Sequence, residues 1–333
     1  MNEILGAVGG TVALGLCALV FGLWLAGLDR KICAHMQARI GPHLTQPFVD
    51  IVKLFGKQNV VPKAAVSWLF NLMPVLALAS AIAILLYLPF GSLAPVLGEA
   101  GDMILVLYLL IIPSLCLVIG GFASGSPYAA VGAQREMVSM IAYELPLAAV
   151  VILLAWRLSV AGVAEPFSMV SLMETGIWDV VGPAGIAGIV VLLLLFAWIT
   201  PGELSKVPFD APEAETELAG GILVEYSGRN LGMFSLAQAV KTVAILAFGV
   251  ALLLPWNLSP VFGLSGALAV LVDIIFFIVK VIVVMVISVT LIRTAMARFR
   301  ITQVVKLYWF IFGGLALAAL LLFLLDAYLM GVL

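Results

Sequence analysis

Eight long apolar runs constrain this chain more than any other feature. They cover roughly residues 3–28, 68–89, 103–124, 137–157, 183–200, 233–256, 265–292 and 308–330. A bilayer core about 30 Å thick is crossed by about 20 apolar residues in helical form. With no water to satisfy its N–H and C=O groups there, such a run must close its own hydrogen bonds as a helix. Of the 333 residues 64% are hydrophobic and 10% charged, whereas soluble domains carry about 25% charged residues. The expected fold is therefore an all-α integral membrane protein with eight transmembrane helices, forming a single membrane domain over residues 1–333. The first run reads as a span rather than a signal peptide. It lacks a basic leader, it is too long, and Asp29-Arg30-Lys31 follows it as a stop.

The basic residues set an orientation. Thirteen of the sixteen Lys and Arg fall in the first, third, fifth and seventh connections, with Arg30, Lys31, Arg39, Lys53, Lys57 and Lys63 in the first alone. Cytoplasmic loops carry the excess of Lys and Arg, so these connections are expected in the cytoplasm and both termini outside. Arg157 stands near the other side, and Lys241 and Lys280 lie inside apolar runs. Three cysteines without a C-x-x-C pair and two isolated histidines, His35 and His43, argue against a metal or iron–sulfur site in this chain. No phosphate loop, nucleophile–base pair or dinucleotide fingerprint is present, and no loop is long enough for a soluble catalytic domain. No nucleic-acid partner is expected.

The longest connection, 29–67, turns at Gly41-Pro42. Beyond the turn Phe48, Ile51, Val52 and Phe55 recur at helical spacing, with Asp50, Lys53 and Lys57 on the other face. An amphipathic helix from Gln46 to Phe55 is expected, lying in the membrane interface or docking a soluble partner. Arg30, Lys31, Arg39, Gln46, Phe48, Asp50 and Lys53 are the candidate docking residues.

The fifth connection, 201–232, is the chain's acidic stretch. Six carboxylates, Glu203, Asp210, Glu213, Glu215, Glu217 and Glu225, fall within 23 residues that hold one lysine, Lys206. Asp210-Ala-Pro-Glu213 has the form of a helix start, with Asp210 as cap and Glu213 completing a capping box. Glu213, Glu217, Gly221 and Glu225 would then follow one face of that helix. Like charges at this spacing disfavour a helix, so the acids need basic partners, water or shared protons. Carboxylates held close together and partly desolvated take up and release protons near neutral pH.

The spans contain further ionisable groups. In the fourth, Glu136, Met140 and Glu144 share a face, the glutamates about 12 Å apart at 1.5 Å per residue. Pro146 follows Glu144 and loosens the helix. The sixth holds Gln238, Lys241 and Thr242, and the seventh holds Asp273 and Lys280, seven residues apart. A charge at mid-bilayer costs at least ~2.5 kcal/mol, so each such group needs a partner or a function. The candidate ion-path residues are Glu136, Glu144, Asp210, Glu213, Glu215, Glu217, Glu225, Lys241, Asp273 and Lys280. Structural ion pairing, for example of Asp273 with a lysine, is the competing reading.

Two motifs carry a family resemblance. M-Q-A-R-I-G-P followed by Q-P-F-V-D-I-V-K-L-F, and E-L-S-K-V-P-F-D-A-P-E-A-E-T-E-L followed by V-E-Y-S-G, resemble the NADH dehydrogenase subunit 1 family of respiratory complex I. A-P-E-A-E-T-E, R-E-M-V-S-M-I-A-Y-E-L-P and the short spacing from Gly41-Pro42 to Gln46 look more like the membrane anchors of energy-converting [NiFe] hydrogenases. The resemblance implies a non-catalytic subunit of an oxidoreductase complex in the prokaryotic cytoplasmic membrane. It would couple ferredoxin-linked electron transfer to proton or sodium movement. It implies no cofactor in this chain, and iron–sulfur clusters and a NiFe centre in partner subunits. The implied partners are soluble hydrogenase-like large and small subunits, an iron–sulfur subunit, antiporter-like membrane subunits and the lipid bilayer. A quinone-site subunit of complex I and a stand-alone secondary transporter are the alternatives.

Overall fold

The computed structural model describes residues 2–98 and 101–331, with the side chains of 2–8, 215 and 216 left aside. The long helices are α1 (Asn2–Met36), α2 (Gln46–Gly56), α3 (Ser67–Leu85), α4 (Met103–Ala123), α5 (Pro127–Val160), α6 (Pro183–Glu203), α7 (Gly228–Leu253), α8 (Ala267–Ala295) and α9 (Ile301–Leu329). All but α2 are long and apolar enough to cross a membrane, giving the eight spans that the apolar runs predict.

Several spans outrun their apolar stretches. Helix α1 runs past the charged triplet Asp29-Arg30-Lys31 to Met36. Asp29 is met by Thr290 and Arg293 of α8 at 2.8 and 2.7 Å, so its charge is paired against the bundle. Helix α5 begins at Pro127, ten residues before the apolar run, and carries Arg135 and Glu136 within it.

The most enclosed span is α7. Helices α1, α2, α3, α4, α6 and α8 all pack on it, and α9 packs on α5 and α6. Such contact relies on small residues, because the hydrophobic effect does not drive helices together in lipid. Gly22 of α1 shows the tolerance: a Cβ there would stand 2.5 Å from the Ala239 carbonyl oxygen of α7. Two π-helical turns interrupt the later spans, Val286–Thr290 in α8 and Leu307–Phe312 in α9. Turns of this kind collect at functional sites, and both of these border the region described below.

The first, third, fifth and seventh connections share one face of the bundle, called here the basic face. The bridge between Asp102 and Ser168 joins the second and fourth connections on the opposite face.

Candidate functional site: a buried charge cluster beside a polar cavity

Near the basic face, α4, α5, α6 and α7 enclose a cluster of ionisable groups. Lys241 of α7 and Glu203, the last residue of α6, form an ion pair of 2.7 Å with both side chains 1% exposed. The lysine ammonium also donates to Ser114 Oγ at 2.7 Å and to the Glu203 carbonyl oxygen at 2.8 Å. That carbonyl lies at the C-terminus of α6, where the helix dipole favours a cation. Ser114 Oγ lies 3.3 Å from the Tyr143 hydroxyl, and the Tyr143 ring meets Tyr308 edge-on.

Glu136 of α5 is buried beside this pair. The Ser205 hydroxyl donates to its carboxylate at 3.1 to 3.2 Å. Lys241, Glu213 and Glu203 are the charged groups that face it. Glu144, two turns further along α5, is half-buried, and Glu203 feels its charge. Its neighbours Ile141 and Leu145 are exposed, so it lies at the edge of the bundle rather than in its core.

A cavity of about 310 Å³ opens next to the cluster, between α1, α2, α7 and the π turn of α8. Its wall includes Asp29, Arg30, Asp50, Lys206, Glu213, Gln238 and Arg293. Gln238 donates to the Leu204 carbonyl at 2.5 Å, which ties α7 to the end of α6. Lys241 and Gln238 thus bind the α6 terminus from one helix.

The acidic connection does not form the expected helix. It breaks into a 3-10 turn at Ala211–Glu213, a single α turn at Glu215–Leu218 and another 3-10 turn at Gly221–Leu223. Ala219, Gly220 and Gly221 all take positive φ, and a Cβ on Gly221 would collide with the Pro212 carbonyl oxygen. Glu213, Glu217 and Glu225 therefore do not share one helical face. Nor does Asp210 cap: its carboxylate accepts from Arg298 Nε at 2.8 Å and Nη2 at 2.6 Å instead. A two-pronged charge-assisted pair is stronger than a neutral bond to a backbone amide, so the guanidinium wins.

Glu217 pairs with Arg135 at 2.6 Å. This hydrogen bond and charge hold the Glu217 carboxyl below its usual range. Glu213 reaches the cavity and Glu225 is half-buried before Tyr226, while the Glu215 side chain lies outside the described residues. The basic partners that the acid spacing demanded come from α5 and from the connection before α9.

Helix α2 forms as expected but is turned. Pro47, Asp50, Ile51 and Leu54 face the cavity, and Val52 and Phe55 are exposed. Asp50 lines the cavity, where Arg30 pairs with it at 3.0 Å and Gln46 donates to it at 3.1 Å. Burial works against the Asp50 charge, but these bonds, with the charges of Arg30 and Lys53, hold its carboxyl low. Phe48 and Lys31 are half-buried, whereas Arg39 and Lys53 are exposed and can meet another surface.

Asp273 and Lys280 sit elsewhere, toward the opposite face. Asp273 accepts from the Leu258 and Ser259 amides and from Ser259 Oγ. Lys280 donates to the Leu254 and Trp256 carbonyls at the end of α7. Each thus binds the connection between α7 and α8, Asp273 by its amides and Lys280 by its carbonyls.

A family model described as NADH dehydrogenase matches residues 10–324. Formate hydrogenlyase subunit 4 of Escherichia coli (strain K12) is 33% identical, over 88% of this chain and 92% of its own length. The chain belongs to the NADH dehydrogenase subunit 1 family of complex I. An NADH-quinone oxidoreductase subunit of Rhizobium meliloti (strain 1021) is 30% identical, over 91% of this chain and 92% of its own. Among solved structures, a chain of the membrane-bound sulfane sulfur reductase, an archaeal respiratory membrane complex, superimposes with a TM-score of 0.82. It is 26% identical and covers 96% of this chain and 99% of its own length. This family member is accordingly a multi-pass membrane protein of a multi-subunit complex.

Family membership gives the fold but leaves the roles of single residues to the geometry. Sequence reasoning missed Asp29, Ser114, Tyr143, Glu203, Tyr308 and Asp326 as site or core polar groups. Glu203 was hidden by its place at the edge of an apolar run, and Asp326 by lying inside one. An acid or hydroxyl at such a place is the signal that points to both.

Proposed function

We propose that this chain is the ion-translocating and anchoring membrane subunit of a ferredoxin-linked, complex I-like membrane-bound hydrogenase. The observation that carries the reading is the buried cluster of Glu136, Glu203 and Lys241, set between the acidic connection and Glu144. Ionisable groups inside a membrane are costly to bury and mark ion pathways and proton relays. Electron transfer in a soluble arm docked on the basic face would change the charge near Glu213 and the cavity. That change would be passed to Glu136 and Glu203, and outward along α5 to Glu144. The basic face then points to the cytoplasm of a prokaryotic cell. Hydrogenase-like large and small subunits and an iron–sulfur subunit would contact Arg39 and Lys53, with the iron–sulfur clusters and NiFe centre held there. Antiporter-like subunits would continue the path in the membrane.

The 33% identity to a formate hydrogenlyase subunit and the short spacing between Gly41-Pro42 and Gln46 support the hydrogenase branch. One observation favours a second reading: the cavity of about 310 Å³ beside the acidic connection has room for a lipophilic acceptor head. A quinone-site subunit would use it so, in keeping with the relatives named as NADH-quinone oxidoreductase subunits. Purifying the complex decides between them. Nickel together with hydrogen evolution supports the hydrogenase. Quinone reduction without nickel supports the second reading.

A further inference from the structure

The seventh connection collects basic groups where α9 enters the membrane. Arg298, Arg300 and Lys306 fall within nine residues that hold no acid. The connection is fixed in place: the Phe299 amide donates to the Pro208 carbonyl at 2.9 Å, and the Phe299 ring packs on Phe209. Arg298 and Arg300 then join Arg135 of α5 and Thr302 of α9 around a cavity of about 460 Å³ beside Glu217. The three guanidinium groups are close enough that Glu217 feels Arg298 and Arg300 as well as its partner Arg135. Two of them are matched by carboxylates, Arg135 by Glu217 and Arg298 by Asp210. Arg300 is exposed, and among the described side chains no ion pair engages it. The pocket thus keeps one surplus positive charge, open to an anion from outside the chain.

The surroundings favour one kind of anion. The apolar run of α9 begins at 308, within two turns of the pocket, which places the arginines at the level of the lipid headgroups. Trp309 and Phe310 are exposed just below them, and exposed Leu317 and Leu321 continue the strip. Aromatic residues gather at the membrane–water boundary, and Lys and Arg beside a span attract anionic lipid. An acidic protein segment would answer the charge alone, whereas a lipid answers the charge and the apolar strip together. We propose that the pocket between α5, the acidic connection and the start of α9 binds the phosphate of an anionic phospholipid. Arg300 is its main contact, Thr302 supplies a hydroxyl, and the acyl chains lie along the exposed strip of α9. A phosphodiester carries one negative charge, which matches the surplus. The site uses none of Glu136, Glu203 and Lys241, so it stands apart from the ion-path reading.

Photolabelling tests the site. Phosphatidylglycerol and phosphatidylcholine, each with a diazirine near the headgroup end of one chain, would be given to the whole complex in nanodiscs and the labelled peptides counted by mass spectrometry. Exposed Val12, Leu16 and Val20 of α1 report lipid that merely surrounds the protein. Relative to that reference, phosphatidylglycerol should label residues 300–310 about fivefold more than phosphatidylcholine, the preference one basic residue contributes near an anionic surface. Arg300→Gln should remove most of the excess and Arg300→Lys should keep it. Unlabelled phosphatidylglycerol should compete, and inorganic phosphate should not. Equal labelling by the two lipids in the wild type overturns the proposal without any variant having to assemble. An unchanged excess in an assembled Arg300→Gln complex overturns it as well. Displacement by inorganic phosphate would make this a free-anion pocket, and no label at 300–310 beside a labelled α1 would mean that a protein segment covers it. Either result rejects the lipid.

Discussion

Two buried ion pairs occupy opposite ends of the bundle, and they are built differently. Toward the opposite face, Arg157 of α5 pairs with Asp326 of α9 at 3.0 Å, each side chain 1% exposed. Asp326 also accepts from the Gly182 amide, and Arg157 donates to the Val180 carbonyl at 2.6 Å. One acid meets one base, and backbone groups of the connection before α6 surround both. Gly185 permits this closeness, since a Cβ there would lie 2.6 Å from Asp326 Oδ2. The basic-face cluster pairs its lysine equally well but adds a second acid and places hydroxyls, not backbone amides, around it. A balanced, amide-locked pair has one stable protonation state and serves as a clamp. An unbalanced cluster on hydroxyls leaves one carboxylate without its own counter-charge, which suits a proton carrier. Burial alone does not separate the two; charge count and partners do.

The largest expected effect breaks the clamp. Arg157→Leu leaves Asp326 buried without its cation, and removing one member of a buried pair costs about 3–5 kcal/mol. The variant should be depleted from membranes and lost from the assembled complex by immunoblot. Replacing both partners, Arg157→Met with Asp326→Leu, should restore most of the assembled protein, because an apolar pair of similar volume needs no counter-charge. Failure of the double variant to recover would mean that this pair does more than hold the fold.

At the cluster the order of effects should invert, with assembly intact and coupling lost. Glu144→Gln keeps size and hydrogen bonding while removing titration. It should lower ion uptake at least tenfold with an unchanged subunit inventory. Assembly loss in this variant would place Glu144 with the clamp.

A smaller effect is expected at the acidic connection. Arg298→Ala frees Asp210 and should raise the proteolytic susceptibility of residues 211–221 about tenfold or more, since a charge-assisted hydrogen bond contributes about 1.5–3 kcal/mol. Unchanged cleavage would show that packing holds the connection without this pair.

The smallest effect is a pH dependence. Arg135 depresses the Glu217 carboxyl, so its stabilisation is complete above the ordinary glutamate value. It is lost only as pH falls through the depressed one. Amide protection factors across 211–221 should stay flat down to about pH 4.3, the ordinary value, and fall below it. In Arg135→Gln protection should be lower at neutral pH and should lack this fall. Identical profiles would remove the latch.

The legible parts of this molecule were those set by the bilayer. Eight spans follow from run length, and α2 from a helical period in a loop. What escaped was decided by partners distant in sequence. Nothing in the sequence shows that Asp29 is paired by Thr290 and Arg293, more than 260 residues away. Asp210 reads as a helix cap until Arg298 competes for it. In α2 the helical period places Asp50 on the polar face, and the structure sets it beside Arg30 on the cavity side. In the candidate site Glu136, Glu144 and Lys241 were visible as ionisable groups in apolar surroundings. That Glu203 completes the cluster depended on how α6 ends against α7.

The central claim is that the cluster carries protons rather than holding the bundle together. Its most direct test is ion uptake and electron transfer measured on the same vesicles for Glu136→Gln, beside a subunit inventory. The predicted result is a complete complex with uptake lost and, in a tightly coupled enzyme, electron transfer reduced as well. Uptake and electron transfer both at the wild-type level in a complete complex would contradict it.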